Sequence, residues 1–149
     1  MVDKSAVGQE APPVVMPVER GKIREFARAT KSQNPAYLDE RAPVSPPTFL
    51  TTLSFWMSGE DSPVAKVGLD MKRVLHGGQE YLFHGPPPKA GTELTATTRI
   101  DDIYEKDGKR GGTMTFVVAV TEFRDERGQL VAEARSTAIE TGRAPEEAK

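Results

Sequence analysis

The spacing of apolar residues changes near Gly77, from a helical period before it to the alternation of β-strands after it. The clearest helical stretch covers residues 44–57. Ser45 suits the N-cap and Pro46 the first helical position, where a missing N–H costs nothing. The opposite face carries only uncharged hydroxyl residues, so it also suits burial. The pattern predicts a buried central helix whose wide apolar face is made of Phe49, Leu50, Leu53, Trp56 and Met57.

Two shorter elements precede this helix. Residues 14–18 are predicted as a short strand, which Pro17 confines to a sheet edge or a strand end. Residues 33–47 contain four prolines, which predict an extended, irregular segment because the residue before a proline avoids the helical region. A loop of this length in a compact domain is often functional. Between the strand and the loop, residues 19–30 are predicted as a helix with one face formed by Ile23, Phe26, Ala27 and Thr30.

The second half of the chain is predicted to be strands. Residues 64–75 are ambiguous and favour a loop with a short helical turn, residues 78–83 favour a strand, and Gly85 and three prolines then break the chain. Asp101 and Asp102 interrupt the alternation of the next strand and predict a bulge. The three long strands that follow the break have shared faces formed by Leu94, Ala96, Thr98 and Ile100, by Met114, Phe116, Val118 and Val120, and by Leu130, Ala132, Ala134, Ser136 and Ala138.

These elements predict an α+β fold in which an antiparallel sheet covers one helix. With 149 residues the chain is long enough for one domain with a substantial core. We expect a loosely ordered segment at residues 1–13, the domain at residues 14–142 and a charged tail at residues 143–149.

Composition excludes several classes of function. There are 20 basic and 22 acidic residues without long runs of either sign, so no nucleic-acid surface is indicated. No apolar run reaches the about 18 residues of a membrane span, and a signal-peptide core is lacking, so we expect a cytoplasmic protein. The absence of cysteine excludes disulfides, thiolate metal sites and cysteine nucleophiles. The only histidines, His76 and His84, are not at metal-ligand spacing, and we expect no metal and no cofactor.

Residues 26–37, which read FARATKSQNPAY, resemble the hydratase signature of the MaoC-like (3R)-hydroxyacyl thioester dehydratases, Gly-Asp-x-Asn-Pro-x-His. The resemblance continues at residues 46–49 (PPTF), 79–86 (QEYLFHGP) and 90–92 (AGT), and covers roughly residues 14–141. It is greatest to the N-terminal, FAS1-like dehydratase half, which includes the HadA and HadC type subunits of mycobacterial acyl-carrier-protein dehydratases. This resemblance implies a hotdog fold, in which a five-stranded antiparallel sheet wraps around the central helix and two such units pair side by side.

The chain departs from the signature at both catalytic positions. Lys31 and Ser32 stand where the family has Gly-Asp, and Tyr37 stands where it has His. Dehydration needs a base for the proton next to the carbonyl and an acid for the leaving hydroxyl. A serine hydroxyl has no useful acidity at neutral pH, and a tyrosine phenol, which is mostly protonated there, is a poor base. The acid–base pair of the family is therefore missing.

The start of the central helix is also altered. In the family, a backbone N–H at this end polarises the thioester carbonyl. Pro46 and Pro47 remove two donors, and the Ser45 side chain is placed to occupy that of Thr48. Phe49 is then expected to carry the single unclaimed N–H.

The substrate-binding candidates are therefore Asn34, Tyr37, Phe49 and His84, and no catalytic residue is assigned. His76, His84 and Asp39 are the residues left as replacements for the lost acid or base. Each also has an ordinary structural interpretation: a turn residue for His76, a strand-end histidine for His84 and a solvated loop residue for Asp39.

Three functions follow from this sequence. The first is a non-catalytic subunit of an (R)-specific 3-hydroxyacyl-thioester dehydratase or enoyl hydratase, acting on acyl-CoA or acyl carrier protein as a heterodimer with a catalytic hotdog subunit. The second is a self-sufficient hotdog thioesterase in which Asp39 or Glu80 activates water. The third is a homodimeric module that binds acyl thioesters without chemistry.

Overall fold

A computed structural model of the chain describes residues 2–38, 41–59, 61–108 and 112–142. Five strands form one antiparallel sheet in the order β1-β3-β4-β5-β2, which confirms the predicted α+β hotdog architecture. All neighbouring strands pair antiparallel, and β3 and β4 share the longest ladder. The strands are β1 (Val14–Pro17), β2 (Val74–Phe83), β3 (Glu93–Asp107), β4 (Thr113–Arg124) and β5 (Leu130–Glu140).

The helices are short. The predicted first helix is confirmed as α1 (Arg20–Ala29), which buries Ile23 and Ala27. The ambiguous stretch at residues 64–75 contains most of α2 (Pro63–Lys66) and a 3-10 turn (Met71–Arg73), as the sequence favoured. Its last two residues belong to β2, which begins at Val74 and not at Gly78 as predicted. The other 3-10 helices of the described chain are Lys4–Ala6, Pro35–Tyr37 and Phe49–Phe55.

The central helix is shorter than predicted. It runs only from Phe49 to Phe55, it is a 3-10 helix, and no side chain caps it; Ser45 and Pro46 lie outside it, so the predicted N-cap and first position are wrong. The physical reason is the second proline. Because Pro47 disfavours the helical region for Pro46, Pro46 does not serve as the first helical position, and the helix begins later, at Phe49. Within it, the Thr52 hydroxyl donates to the Phe49 carbonyl at 2.8 Å, a local bond that competes with regular α-helical pairing.

The core forms two clusters along the sheet. The larger cluster joins the central helix and α1 to β1, β3, β4 and β5 through Met16, Val18, Ile23, Phe49, Leu50, Leu53, Leu94, Ala96, Phe123 and Ala132. Trp56 and Met57 are partly buried against it, whereas Phe55 is 70% exposed. The second cluster lies near the β3 bulge and consists of Ala6, Val67, Ile100, Ile103, Val117 and Ala119.

Strand β4 buries both of its faces at its centre. Val117 and Ala119 belong to the second core cluster. The face of β4 that packs against the core is therefore opposite to the face that the sequence analysis grouped as Met114, Phe116, Val118 and Val120. That set, which contains Val118 and Val120, lies on the face turned away from the central helix, although both residues are buried as well. The predicted bulge is confirmed, because the β3–β4 register shifts between Ile100 and Asp102.

The segment before β1 was expected to be loosely ordered, but it lies along β3. Gly8 and Ala11 donate backbone hydrogen bonds to Ile100 and Thr98 at 2.8 Å, and Ala6 is buried. The predicted tail at residues 143–149 lies outside the described residues. In the described part of the chain, no helix is long and apolar enough to cross a membrane. The cytoplasmic location stays a prediction.

Candidate functional site

Helix α1 ends in a tight turn that leads directly into the loop resembling the hydratase signature. Lys31 adopts the left-handed region with φ of 55°, and its N–H donates to the Arg28 carbonyl at 3.0 Å. The next N–H, of Ser32, reaches back to the Ala27 carbonyl at 2.8 Å. These two bonds form a Schellman motif, whose left-handed position is usually glycine. Lys31 therefore occupies a backbone position suited to the glycine that the family has there.

The loop that follows is held by its own side chains. The Asn34 side-chain oxygen accepts the Ala36 N–H at 3.0 Å and caps the 3-10 turn Pro35–Tyr37. Ser32 is partly buried, and its hydroxyl accepts a long bond of 3.4 Å from the Asn34 N–H. Tyr37 packs against the larger core cluster. The two altered positions, Ser32 and Tyr37, thus lie in one loop, and Asn34 supports the backbone between them.

Backbone hydrogen bonds join this loop to two other segments that carry the resemblance. Val44 donates to the Ala36 carbonyl, Ser45 donates to Pro88, and Ala90 donates to Pro43, each at 2.9 Å. The signature loop, the proline-rich segment before the central helix and the connection from β2 to β3 are therefore neighbours in space. The sequence had placed these motifs only in order along the chain.

The start of the central helix has no unclaimed donor at Phe49. The Phe49 N–H donates to the Pro46 carbonyl at 3.0 Å, and the side chain is fully buried with its ring 5.7 Å from that of Phe26. The expectation of a free N–H is therefore wrong, because the turn that begins at Pro46 supplies a carbonyl acceptor for it. Ser45 is also buried, and its hydroxyl has no partner among the described residues. A buried polar atom of this kind is commonly paired with an internal water.

His84 and His76 lie at opposite ends of β2. His84 Nε2 is hydrogen-bonded to Glu133 Oε2 at 2.7 Å, and the residue borders an open cavity of about 420 Å³. The cavity lies between the β2–β3 connection and the β4–β5 turn, and Lys89 and the buried Leu94 also line it. His76 is exposed beside the β2 bulge. The two histidines are thus separated by the length of a strand and do not form a pair.

Of the two carboxylates considered for water activation, only Glu80 is described, and it does not lie at the signature loop. Asp39 lies outside the described residues. Glu80 pairs across the sheet with Arg135, so it lies on the face opposite to that of Tyr81 and Phe83, which pack against the larger core cluster. Its surroundings include Arg99 and Glu133 rather than the central helix.

One polar contact at the helix was not found from sequence. The Tyr81 phenol interacts with the Thr51 side chain, which connects strand β2 to the central helix. Burial raises the pKa of the Tyr81 phenol above its ordinary value, and the interaction with Thr51 partly opposes this effect. The alternation of β2 placed Tyr81 beside Phe83 on one face, but its partner on another element carried no sequence signal.

The described loop keeps the backbone turn of the signature but has neither a carboxylate nor an imidazole at its two altered positions. Neither Ser32 nor Tyr37 supplies a carboxylate or an imidazole, and Phe49 offers no free donor to a carbonyl oxygen. Within the described residues, no cluster of three or more histidine and acidic side chains is arranged to hold a metal ion. What remains is a loop with a defined shape that can line a binding surface.

Comparison with known proteins gives one family. Residues 5–134 match the family model of the FAS1-like dehydratase domain region. A UPF0336 protein of Saccharopolyspora erythraea is 36% identical, with 96% of this chain and 94% of that protein covered. A UPF0336 protein of Streptomyces coelicolor is 35% identical with 99% of both chains covered, and one of Mycobacterium tuberculosis is 31% identical over 80% of this chain and 74% of that protein.

Solved structures support the same fold. A chain of the C-terminally truncated HadBC (3R-hydroxyacyl-ACP dehydratase) complex from Mycobacterium tuberculosis superposes with a TM-score of 0.72 at 29% identity, covering 90% of this chain and 96% of that one. A chain of the ChsH1-ChsH2 complex from the same organism has a TM-score of 0.72 at 16% identity, covering 97% and 93%. At that lower identity the second likeness shows the fold alone.

Proposed function

Because the chain belongs to the FAS1-like dehydratase family, we propose that it is the non-catalytic subunit of a heteromeric (R)-specific 3-hydroxyacyl-thioester dehydratase or enoyl hydratase. The observation that carries this proposal is the signature loop. It keeps the Asn34–Pro35 turn and its neighbours, but Ser32 and Tyr37 stand at the acid and base positions. A chain with the scaffold and without the proton-transferring groups fits a supporting role.

The catalytic groups would come from a second hotdog chain that bears Gly-Asp-x-Asn-Pro-x-His. That chain removes the proton next to the thioester carbonyl and protonates the leaving hydroxyl, or runs both steps in reverse during hydration. The present chain completes the acyl-binding surface and holds the partner. Of the four binding candidates, Phe49 fills the core, Tyr37 is partly exposed, and Asn34 and His84 are exposed, although each of these two already makes one side-chain hydrogen bond.

The free edge of β2 supports pairing with another chain. This edge strand has ten residues, whereas the other edge strand, β1, has four and includes Pro17, which cannot donate a ladder hydrogen bond. Leu75 and Leu82 of β2 are 54% and 57% exposed. A long edge with exposed leucines fits side-by-side association, as in the proposed heterodimer. The HadBC and ChsH1-ChsH2 structures are complexes of such chains by their names.

Co-expression with a family member that carries the intact signature tests the proposal. We expect the complex to hydrate crotonyl-CoA or its carrier-protein thioester, and this chain alone to show no hydration above background. A matched control replaces the aspartate and histidine of the partner, which should silence the complex without preventing assembly. Robust hydration by the lone chain would refute the proposal.

The same preparations separate the two other functions. A thioesterase releases free thiol from acyl-CoA, and that release would be lost on changing Glu80→Gln or Asp39→Asn. A homodimeric binding module would retain an acyl thioester in native mass spectrometry without turnover, and would not exchange into a heterodimer. Neither result is expected for a subunit of a dehydratase.

A further inference from the structure

The outer edge of β3 is covered in two parts. Strand β1 pairs only with residues 93–96, although β3 continues to Asp107. Residues 2–11 lie along the next part of this edge, and we call them the N-terminal strap. Because β1 is short, the strap is the segment that meets the hydrogen-bonding groups in the middle of β3.

Backbone hydrogen bonds attach the strap to β3 as a short edge strand would be attached. The Ile100 N–H donates to the Gln9 carbonyl at 3.0 Å, and the Ile100 carbonyl accepts the Gly8 N–H at 2.8 Å. The Thr98 carbonyl accepts the Ala11 N–H, also at 2.8 Å. An uncovered strand edge offers such groups to another chain. In this part of β3 they are occupied by the chain's own strap.

Few side chains hold the strap in place. Ala6 and Ala11 are buried, and Val2 packs partly buried against the second core cluster. Within the described residues, the strap makes an ion pair between Lys4 Nζ and Glu105 Oε2 at 3.0 Å, but both side chains are exposed, and such pairs add little stability. Segments with little apolar burial open more readily than the core. The strap is therefore a cover held mainly by backbone bonds.

Prolines close the same edge further. Pro12 and Pro13 join the strap to β1, and Pro17 is the last residue of β1. None of them can donate a hydrogen bond to another strand, and natural sheet edges use proline to prevent pairing. At the other edge of the sheet, the ten residues of β2 include no proline, and Leu75 and Leu82 are exposed. The sheet thus has one edge closed to another strand and one edge open to it.

We propose that the N-terminal strap is an intramolecular cover that prevents a second copy of this chain from pairing with β3, and so confines association to β2. Without the strap, the β3 edge can accept an extended strand, and the open β2 edge of another copy supplies one. Pairing of β2 with β3 is head-to-tail, so it does not close on itself and leads to chains of copies. The inference concerns this chain alone and holds whether or not the chain serves a dehydratase.

Removal of the strap tests the inference. A chain without residues 2–11 is compared with the full chain and with Lys4→Ala, which breaks the exposed ion pair but keeps the backbone bonds. Gly8→Pro in the full chain keeps the test readable where the deletion prevents folding. Proline cannot adopt the φ of 85° found at Gly8, and it lacks the N–H that the Ile100 carbonyl accepts.

Two measurements are made on each chain. Sedimentation velocity gives the mass of the assembly over a range of concentrations. Hydrogen exchange, detected by mass spectrometry at the lowest concentration, reports the segment that contains Ile100, and the amides of β4, which is paired on both sides, serve as the reference.

We expect the strap-deleted chain to form larger, concentration-dependent assemblies, and the Ile100 amide to exchange at least about tenfold faster in dilute solution. Gly8→Pro should show both changes to a smaller degree, and Lys4→Ala should behave as the full chain. A synthetic peptide of residues 2–13 should restore the smaller species, whereas a scrambled peptide should not. An assembly mass unchanged by the deletion and by Gly8→Pro would overturn the inference, and so would assemblies that the peptide does not reverse.

Discussion

Gly77 lies against Ile139 with no space for a side chain between them. A Cβ atom at Gly77 would come within 2.5 Å of Ile139 Cδ1 and 2.6 Å of its Cγ1. The β2–β5 register also shifts here, between His76 and Gly78, so the glycine is the extra residue of a bulge in the strand with the free edge. The free edge of β2, which we propose pairs with a partner chain, therefore depends for its shape on the contact between Gly77 and Ile139.

Gly77→Ala should destabilise the chain by about 1 kcal/mol, because the added methyl must displace the half-buried Ile139 side chain. Gly78→Ala is the matched control, since nothing lies within 4 Å of its Cβ position, and it should change stability by about 0.5 kcal/mol or less. Urea unfolding of both variants gives the two free energies. Equal costs at the two glycines would contradict the contact.

Lys31→Gly should stabilise the chain by about 0.5–1 kcal/mol. The left-handed backbone costs a lysine about 1–2 kcal/mol. Glycine removes this strain, but its greater conformational freedom in the unfolded chain offsets part of the gain in stability. Lys31→Ala serves as the control, because alanine keeps the strain and should give no gain. The measurement is the urea midpoint, and an alanine variant as stable as the glycine variant would refute the strain.

Tyr81→Phe should lower stability by about 0.5 kcal/mol at neutral pH, because the phenol loses its interaction with the Thr51 side chain. The pH dependence adds a second signature. Because burial raises the folded pKa of Tyr81, the folded chain holds this proton more tightly, and stability falls as pH rises above the unfolded pKa. The stability of the phenylalanine variant should therefore fall less steeply as the pH becomes alkaline. Tyr104→Phe, which keeps Tyr81, should retain the full fall in thermal melts between neutral and alkaline pH.

Asp70→Asn should lower Tm at neutral pH and have a smaller effect in acid. The Arg73 side chain and the Lys72 N–H hold the pKa of Asp70 below its ordinary value. This carboxylate therefore stabilises the fold above its unfolded pKa, and the contribution is lost as pH falls through the folded pKa. Lys72→Ala, which retains the backbone donor, is the control and should have a smaller effect. Parallel Tm curves for Asp70→Asn and the unaltered chain down to low pH would contradict the assignment.

Local patterns predicted most of the elements. Helix α1, the edge position of β1 and the bulge after Ile100 follow from spacing and proline chemistry, which act within a few residues. The central helix was misjudged because its apolar spacing also fits a longer α-helix. Pro46, which was predicted as the first helical position, lies outside the helix, which begins at Phe49.

The sequence by itself determined which side chains stand at the signature positions, because Ser32 and Tyr37 replace a carboxylate and an imidazole there. It also determined where the strands alternate. Only the tertiary structure decided which side of β4 faces the helix, that Tyr81 meets Thr51, and that β2 has the free edge. The physical reason is that a period of two gives a strand two equivalent faces, and only packing against other elements of the chain distinguishes them.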